Sequence, residues 1–239
     1  MSRLFDRMSP GAERLVLALL VGAGYALYLP IGAYTATLPH HVPARDLDHA
    51  IPFVPAAVYV YALLYPLALL PLAVTGGRRR LRRTASAYLA AMGVSYAFFI
   101  AWPVHMTIRP EIPPPDSRVE WCLALLYAID RPSNCFPSLH VSTVLLAALS
   151  VRGVDETLAA VAMGLAVAVS ASTLLVKQHW LVDVAGGAAL AAVLWGTLIR
   201  GIEPASGALR RRGLLLLAGL YAGLFVALEL VRVTGWSPG

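Results

Sequence analysis

The sequence predicts an all-α fold, a polytopic integral-membrane helical bundle, and two observations carry this prediction. Of the 239 residues, 59% are hydrophobic and only 13% are charged, and the mean hydropathy is +0.70. Apolar runs of about 20 residues, the length that crosses a bilayer as a helix, recur along the chain. Because no stretch has the composition of a soluble domain, we predict a single membrane domain over residues 1–239.

The apolar runs predict seven spans, at residues 15–37, 52–75, 85–106, 138–152, 157–177, 180–199 and 213–231. The first is too long for the hydrophobic region of a cleaved signal peptide, so we expect it to remain in the protein. The fourth is short and is expected to begin at the bilayer surface. The last, residues 213–231, is predicted to be an additional transmembrane helix beside a six-helix core.

The basic residues predict the orientation, because cytoplasmic loops retain Arg and Lys. One side of the predicted bundle carries most of the 19 basic residues: Arg3, Arg7, Arg14, Arg78, Arg79, Arg80, Arg82, Arg83, Arg152, Arg200, Arg210, Arg211 and Arg212. The other side carries Arg45, Arg109, Arg118, Arg131, Lys177 and Arg232. We therefore expect a cytoplasmic amino terminus and, with seven spans, an extracytoplasmic carboxyl terminus.

The net charge of +6 is explained by this anchoring, so the predicted partners are membrane lipids and not nucleic acids. We expect the inner membrane of a bacterium, and we predict no particular oligomeric state. The arginine-rich segment Thr75–Thr84 is expected to be a turn at the cytoplasmic surface. The two cysteines, Cys122 and Cys135, are expected to pack unpaired among apolar residues.

The longest loop, from Pro103 to Pro137, is expected to be functional, because long loops in compact domains are either functional or disordered. It contains Arg109, Asp130 and Arg131. The apolar stretch 119–129 is only half a span long, which suits an interfacial or re-entrant helix.

The sequence Pro137-Ser138-Leu139-His140 predicts a helix start, since proline is favoured in the first turn of a helix. Free N–H groups and the helix dipole make such a start a site for an anion such as phosphate. His140 in the same turn could donate a proton to a leaving alkoxide. The simpler alternative is a helix cap that carries an interfacial histidine.

A second cluster places Lys177, His179 and Asp183 between apolar flanks, where ionisable groups are costly and usually functional. On a helix, His179 and Asp183 would share one face. A carboxylate that fixes one ring nitrogen leaves the other free as a nucleophile. Two alternatives are a salt-bridged helix cap and a zinc site of His140, His179 and Asp183. Ser138 and the basic residues nearby favour an anion site without a metal, so no cofactor is predicted.

The two clusters together resemble the type 2 phosphatidic acid phosphatase superfamily of membrane phosphatases and phosphotransferases. Its three motifs are Lys-x6-Arg-Pro, Pro-Ser-Gly-His and Ser-Arg-x5-His-x3-Asp. The second motif matches residues 137–140 with Leu139 for glycine, and the third matches Ser172, His179 and Asp183 with Thr173 for arginine. The first motif ends either at Arg109-Pro110 or at Arg131-Pro132, with Trp102 or Ala124 at its lysine position.

These departures are similar to the branch that includes inositol phosphorylceramide synthases, and the resemblance covers a catalytic core over residues 52–195. It implies that His179 is the nucleophile, His140 the acid and Asp183 the orienting carboxylate. It further implies phosphate binding by residues of the three motifs and their neighbours, namely Ser138, Leu139, Arg109 or Arg131, and Lys177.

The resemblance therefore predicts a metal-independent enzyme that cleaves a phosphate ester or anhydride of a lipid phosphate at the extracytoplasmic face. The alternatives are transfer of a phospho-headgroup to a lipid hydroxyl and, less favoured, a non-catalytic lipid-phosphate carrier. Lys177 could serve the phosphate only if the chain is irregular between Val176 and His179. In that case Lys177→Met is expected to lower the rate about 10²-fold or more.

Overall fold

The computed structural model describes residues 5–203 and 210–236, and within them it contains helices and no strand. In chain order the helices are α1 (Pro10–Ala26), α2 (Tyr28–Thr35), α3 (Asp46–Ala50), α4 (Ala57–Tyr61), α5 (Leu64–Val74), α6 (Arg78–Ala101), α7 (Arg118–Ile129), α8 (Leu139–Ser150), α9 (Glu156–Leu175), α10 (Leu181–Leu194) and α11 (Arg210–Val233). A π-helical turn, Trp195–Ile199, continues α10.

Six stretches of the described chain are long and apolar enough to cross a membrane: Pro10–Thr35, Ala57–Val74, Arg78–Ala101, Glu156–Leu175, Leu181–Ile199 and Arg212–Val233. A seventh apolar helix, α8, is shorter. The prediction of an all-α, polytopic membrane bundle is confirmed, and the short fourth span is where it was expected.

Helix boundaries differ from the predicted spans where capping residues set them. The first helix begins at Pro10, because the Ser9 hydroxyl accepts the N–H of Ala12 at 3.2 Å and a proline follows the cap. The predicted turn over Thr75–Thr84 is wrong from Arg78 onward, since α6 begins there. Arginine is a good helix former, and several of these arginines have partners inside the bundle that a surface turn would not supply.

One end of the bundle, here called the arginine end, consists of Glu13, Arg14, Arg78, Arg80 and Arg82. Glu13 is fully buried and forms ion pairs with Arg78 and Arg82. Buried Arg80 donates hydrogen bonds to backbone carbonyls that follow α8 and α10, and Arg14 does the same to carbonyls at the end of α5. Arginine here links helix ends to one another.

Helix α8 lies at the centre, packed against α5, α6, α9 and α10. Its side chains Val144, Leu146, Ala147 and Ala148 are completely buried. Twelve residues of helix span about 18 Å, less than the roughly 30 Å of a bilayer's hydrocarbon core. Since the last residue of α8, Ser150, contacts the arginine end, its first residues lie within the thickness of the bundle and not beyond it.

Helix α10 approaches the start of α8 closely because Gly187 has no side chain. A Cβ atom at Gly187 would come within 2.5 Å of the Ser138 carbonyl oxygen. The Ser138 N–H in turn donates to the Asp183 carbonyl at 3.0 Å. This contact joins the amino termini of α8 and α10, which carry the two sequence clusters.

The C-terminal helix α11 contains the predicted additional span and packs on α5 and α9 at the periphery. Helix α7 occupies the stretch that was expected to form a half-length helix in the long loop. Both cysteines are free, as predicted. A small second core of Val104, Met106, Cys135 and Trp180 holds the loops beside the amino termini of α8 and α10.

Candidate functional site

The two histidines of the sequence clusters meet at the amino-terminal ends of α8 and α10. His140 Nδ1 lies 2.9 Å from His179 Nε2, a hydrogen-bond distance. The His179 side chain is 2% exposed, whereas the His140 side chain is 13% exposed. The remaining nitrogen of each ring faces a carboxylate at 3.5 Å: Asp183 Oδ2 for His179 and Asp130 Oδ2 for His140. We call this region, with Arg109 and Gln178, the histidine end.

His179 stands in an irregular link between α9 and α10. Helix α9 ends at Leu175, and Lys177 has a left-handed backbone with φ of 52°. The N–H groups of Gln178 and His179 both donate to the Thr173 carbonyl, at 2.8 and 3.3 Å. The link places His179 just before α10, while Asp183 in its first turn accepts the Trp180 N–H at 2.8 Å. Asp183 therefore both caps α10 and faces His179.

Ser138 caps α8, because its hydroxyl accepts the N–H of Val141 at 3.2 Å. Its side chain is buried. The other N–H groups of this first turn have no intrahelical partner, as at any helix start. Leu139, expected at the phosphate through its place in the motif, has a buried side chain that lines an apolar cavity. Any contact of Leu139 with phosphate would have to come from its backbone N–H.

The two rival arginines of the first motif occupy different environments. Arg109 donates to the Asp130 carbonyl at 2.8 Å and to the side-chain oxygen of Gln178, and its guanidinium covers the Tyr127 ring. Arg131 is exposed and has no hydrogen bond or ion pair within the described part of the chain. Of the two, Arg109 is therefore the one that the fold brings to the residue next to His179.

Lys177 lies in the irregular link that its predicted role requires, but its ammonium has other partners. Nζ donates to the Ile51 carbonyl at 2.6 Å and lies 3.4 Å from the Asp48 carbonyl. Burial lowers the pKa of the Lys177 ammonium. Asp48 itself accepts the Leu181 N–H at 2.8 Å. These contacts fasten the α3 loop to the start of α10, so Lys177 has a structural task independent of phosphate.

Asp130 and two tyrosines belong to the candidate site, although the sequence did not predict a role for any of them. Asp130 is 5% exposed and accepts the hydroxyls of Tyr28 at 2.6 Å and Tyr61 at 3.1 Å. Both tyrosine rings pack against the His140 ring, with centroids 5.7 and 5.4 Å away. The position of Asp130 just before the second motif was a signal for it. Nothing local marks the tyrosines, which belong to separate helices.

Several buried polar atoms at the histidine end have no hydrogen-bond partner within the described residues. They are Arg109 Nε, Gln178 Nε2, His179 Nδ1 and Asp183 Oδ1. Gln178, also missed from the sequence although it precedes His179, is 3% exposed. Because a buried donor without a partner costs about 1–3 kcal/mol, such atoms need an explanation, and Arg109 Nε and Gln178 Nε2 are both suited to an oxygen-rich ligand.

The structure also brings one set of potential metal ligands together in the described chain. Atoms of Cys135, His179 and Asp183 lie within 4.8 Å of one another, a different set from the predicted zinc alternative, which contained His140. Burial, with Asp183 and Asp130 nearby, raises the pKa of the Cys135 thiol well above its usual value. A metal at this position would bind the thiolate and would therefore displace the thiol proton.

Beside His140 lies a cavity of about 370 Å³ whose walls are mainly apolar. Helices α1, α2, α5 and α8 contribute to it, and His140 and Asp130 belong to its lining. Its lining residues Leu29, Tyr65 and Leu69 are each about half exposed on the outside of the bundle, at 52%, 50% and 49%. The cavity thus connects the catalytic histidine candidate with the side of the bundle that would face lipid.

Comparison with known families identifies the superfamily of the chain. The model of the PAP2 superfamily matches residues 84–205, about half of the sequence, including both histidines and Asp183. No curated protein and no solved structure matches the chain significantly. The matched part begins within α6, so Tyr28 and Tyr61 precede it. The chain therefore belongs to the PAP2 superfamily, and it is an integral-membrane enzyme of the phosphatase or phosphotransferase kind.

Proposed function

We propose that the protein is a metal-independent lipid phosphatase that works through a phosphohistidine on His179. The observation that carries the proposal is the histidine pair at 2.9 Å, in which each ring faces its own carboxylate. Binding of an anion alone needs positive charge, not two oriented imidazoles. A carrier is therefore the weaker alternative.

The chemistry divides into two displacements at phosphorus. His179 Nε2 attacks phosphorus, the bond to the lipid oxygen breaks, and His140 gives its proton to that oxygen as it leaves. Asp183 stabilises the positive charge that forms on the His179 ring. In the second step His140 takes a proton from water, the water oxygen attacks phosphorus, and the P–N electron pair returns to His179.

The phosphoryl oxygens would be held by groups that already point to the histidine end. Arg109 supplies a cation, Gln178 Nε2 an unpaired donor, and the first turn of α8 its free N–H groups and dipole. Ser138 acts here as the cap that orients that turn. Arg131 and Lys177 would contribute only long-range charge, given where their side chains lie.

The apolar cavity beside His140 supports a lipid as the substrate, because a water-soluble phosphate ester would not use it. Its exposed rim on α2 and α5 would admit a hydrocarbon chain from the membrane while the phosphate stays at the histidines. We place the site on the extracytoplasmic side in the inner membrane of a bacterium, since the arginine end has the basic character of a cytoplasmic face.

Transfer to a lipid hydroxyl is the second candidate. The departures Leu139 and Thr173 are those that favour the inositol phosphorylceramide synthase-like branch. Hydrolysis and transfer share every step up to the phosphoenzyme. They differ in the nucleophile that enters next. The two activities are therefore separated by products and not by the site.

The test offers the purified protein a panel of lipid phosphates and measures both released phosphate and new phospholipids. We expect phosphate release that is unchanged by a chelator and lost in His179→Ala. His49→Ala, which changes an exposed histidine on α3, is the matched control and should retain activity. New phospholipid without free phosphate would favour transfer, whereas lipid binding retained without either product would favour the carrier.

The orientation is tested by labelling single cysteines in intact cells, in a background with Cys122 and Cys135 replaced by serine. Arg79→Cys lies on the exposed start of α6 and Thr234→Cys on the exposed segment after α11. We expect a membrane-impermeant reagent to label position 234 and not position 79. Labelling of position 79 alone would reverse the proposed side.

A further inference from the structure

We infer that Asp130, held by Tyr28 and Tyr61, is the positioning carboxylate of the acid His140, so that the site contains two histidine–carboxylate pairs. This inference rests on the proposed function, because it assigns Asp130 a task in the same reaction. The matched family region supplies Asp130 and His140, while the two tyrosines come from α2 and α4, before that region.

The geometry gives His140 two distinct nitrogens. Nδ1 faces His179 Nε2, the atom that would attack phosphorus, so Nδ1 is on the reacting side. Nε2 faces Asp130 Oδ2 at 3.5 Å, on the side away from His179. A carboxylate at Nε2 fixes which nitrogen points to the substrate and stabilises the imidazolium, as a carboxylate does for a catalytic base.

Charge balance supports the same role. Asp130 is 5% exposed, and the two hydroxyls that it accepts are neutral. Arg109 bonds to the backbone carbonyl of Asp130 and not to its carboxylate. In the described residues, the positive group that can pair with this buried carboxylate at contact distance is therefore His140 in its protonated form. A carboxylate at this distance stabilises the imidazolium relative to the neutral ring, and the imidazolium is the form that an acid needs.

The tyrosines explain why the carboxylate stays in place when His140 gives up its proton. Their hydroxyls continue to donate to both Asp130 oxygens, and both rings pack against the imidazole. Loss of either hydroxyl should therefore weaken the positioning of Asp130 while both aromatic rings stay in place. The N-terminal helices, outside the matched family region, would in this way contribute to catalysis.

The test compares two substrates that differ in how much they need an acid. A lipid alkyl phosphate has a poor leaving group that needs a proton. In 4-nitrophenyl phosphate the leaving group is 4-nitrophenolate, which departs readily without one. We expect Asp130→Asn to slow the alkyl phosphate about 10²-fold, the usual size of a general-acid contribution, and the nitrophenyl ester much less. Tyr28→Phe and Tyr61→Phe should show the same selectivity with smaller losses. Tyr88→Phe, which removes a buried tyrosine's bond to the Ala68 carbonyl, controls for lost stability.

A double variant separates positioning from general damage. If Asp130 acts through His140, Asp130→Asn should add little to the loss already caused by His140→Ala. Equal slowing of both substrates, or fully additive losses, would overturn the inference and leave Asp130 a structural residue. His179→Ala distinguishes the two proposals: activity that survives it overturns the phosphohistidine route itself, whereas an unaffected Asp130→Asn overturns only the second pair.

Discussion

The two polar ends of the bundle use similar residue types in opposite ways. At the arginine end, guanidinium groups meet helix-end carbonyls or the buried carboxylate of Glu13. At the histidine end, a guanidinium nitrogen, an amide nitrogen, an imidazole nitrogen and a carboxylate oxygen have no hydrogen-bond partner within the described chain. The other buried side-chain atoms of the described chain that lack a hydrogen-bond partner are the hydroxyls of Thr75, Thr84, Ser95 and Ser150.

This difference distinguishes buried polar groups that stabilise the fold from buried polar groups that remain available to a ligand. A buried hydroxyl can rotate toward a carbonyl of its own helix, so its apparent isolation says little about ligands. A fixed amide or guanidinium donor has no such freedom, and the cost of leaving it unpaired is recovered when a ligand accepts from it. The arginine end thus assembles the fold, whereas the histidine end retains the unpaired donors that the proposed phosphate site requires.

Among the variants that keep both histidines, the largest effect should come from Arg109, which joins the proposed phosphate site to the long loop. We expect Arg109→Met to lower the rate about 10²- to 10³-fold, the usual loss for one preorganised donor to a developing charge. Steady-state phosphate release from a lipid phosphate measures it. Arg131→Met is the matched control, because that exposed arginine has no hydrogen bond or ion pair with the described residues. A larger loss for Arg131 than for Arg109 would assign the first motif to the other arginine.

At the arginine end the effect should appear in stability and not in the rate. Arg80→Met removes donors to the carbonyls of Ser150, Arg152 and Ile202, and each buried acceptor left unpaired costs about 1–3 kcal/mol. Thermal unfolding in detergent should therefore occur at a clearly lower temperature, while the folded fraction keeps its turnover.

Arg79→Met, at the exposed neighbour of Arg80, should change neither property. A normal melting temperature for Arg80→Met would show that lipid or water can replace its contacts. A large loss of turnover per folded molecule would instead mean that the two ends are coupled and that the arginine end also serves the reaction.

Lys177 should show the smallest effect on chemistry. The sequence alone predicts a loss of 10²-fold or more for Lys177→Met, but its ammonium bonds to the carbonyls of Ile51 and Asp48. From these contacts we expect a change in rate of less than about 10-fold, together with lower thermal stability from unpaired carbonyls. Rates and melting curves of the same preparations measure both. A loss above 10²-fold at unchanged stability would restore the phosphate role.

Sequence patterns predicted the fold well because bilayer-length apolar runs leave few alternatives to helices. They also selected His140, His179 and Asp183, which belong to the motifs themselves and which the fold brings together, while their roles in the reaction stay predictions. They did not predict that Asp130 would face His140, since that contact needs α7, α2 and α4 to converge. The inward arginines of α6 were likewise misread as a surface turn, because a run of charges does not reveal which members find buried partners.

We propose that His179 carries the phosphoryl group during turnover, and trapping of that intermediate is the decisive experiment. Enzyme mixed with a lipid phosphate is quenched in base within the first turnovers, because a P–N bond survives base and is cleaved by acid, and its peptides are analysed by mass spectrometry. We expect one phosphoryl group on His179, absent from His179→Ala and removed by brief acid treatment. Phosphate on another residue, or active enzyme without a phosphoryl group at any time during turnover, would rule out a phosphohistidine intermediate on His179.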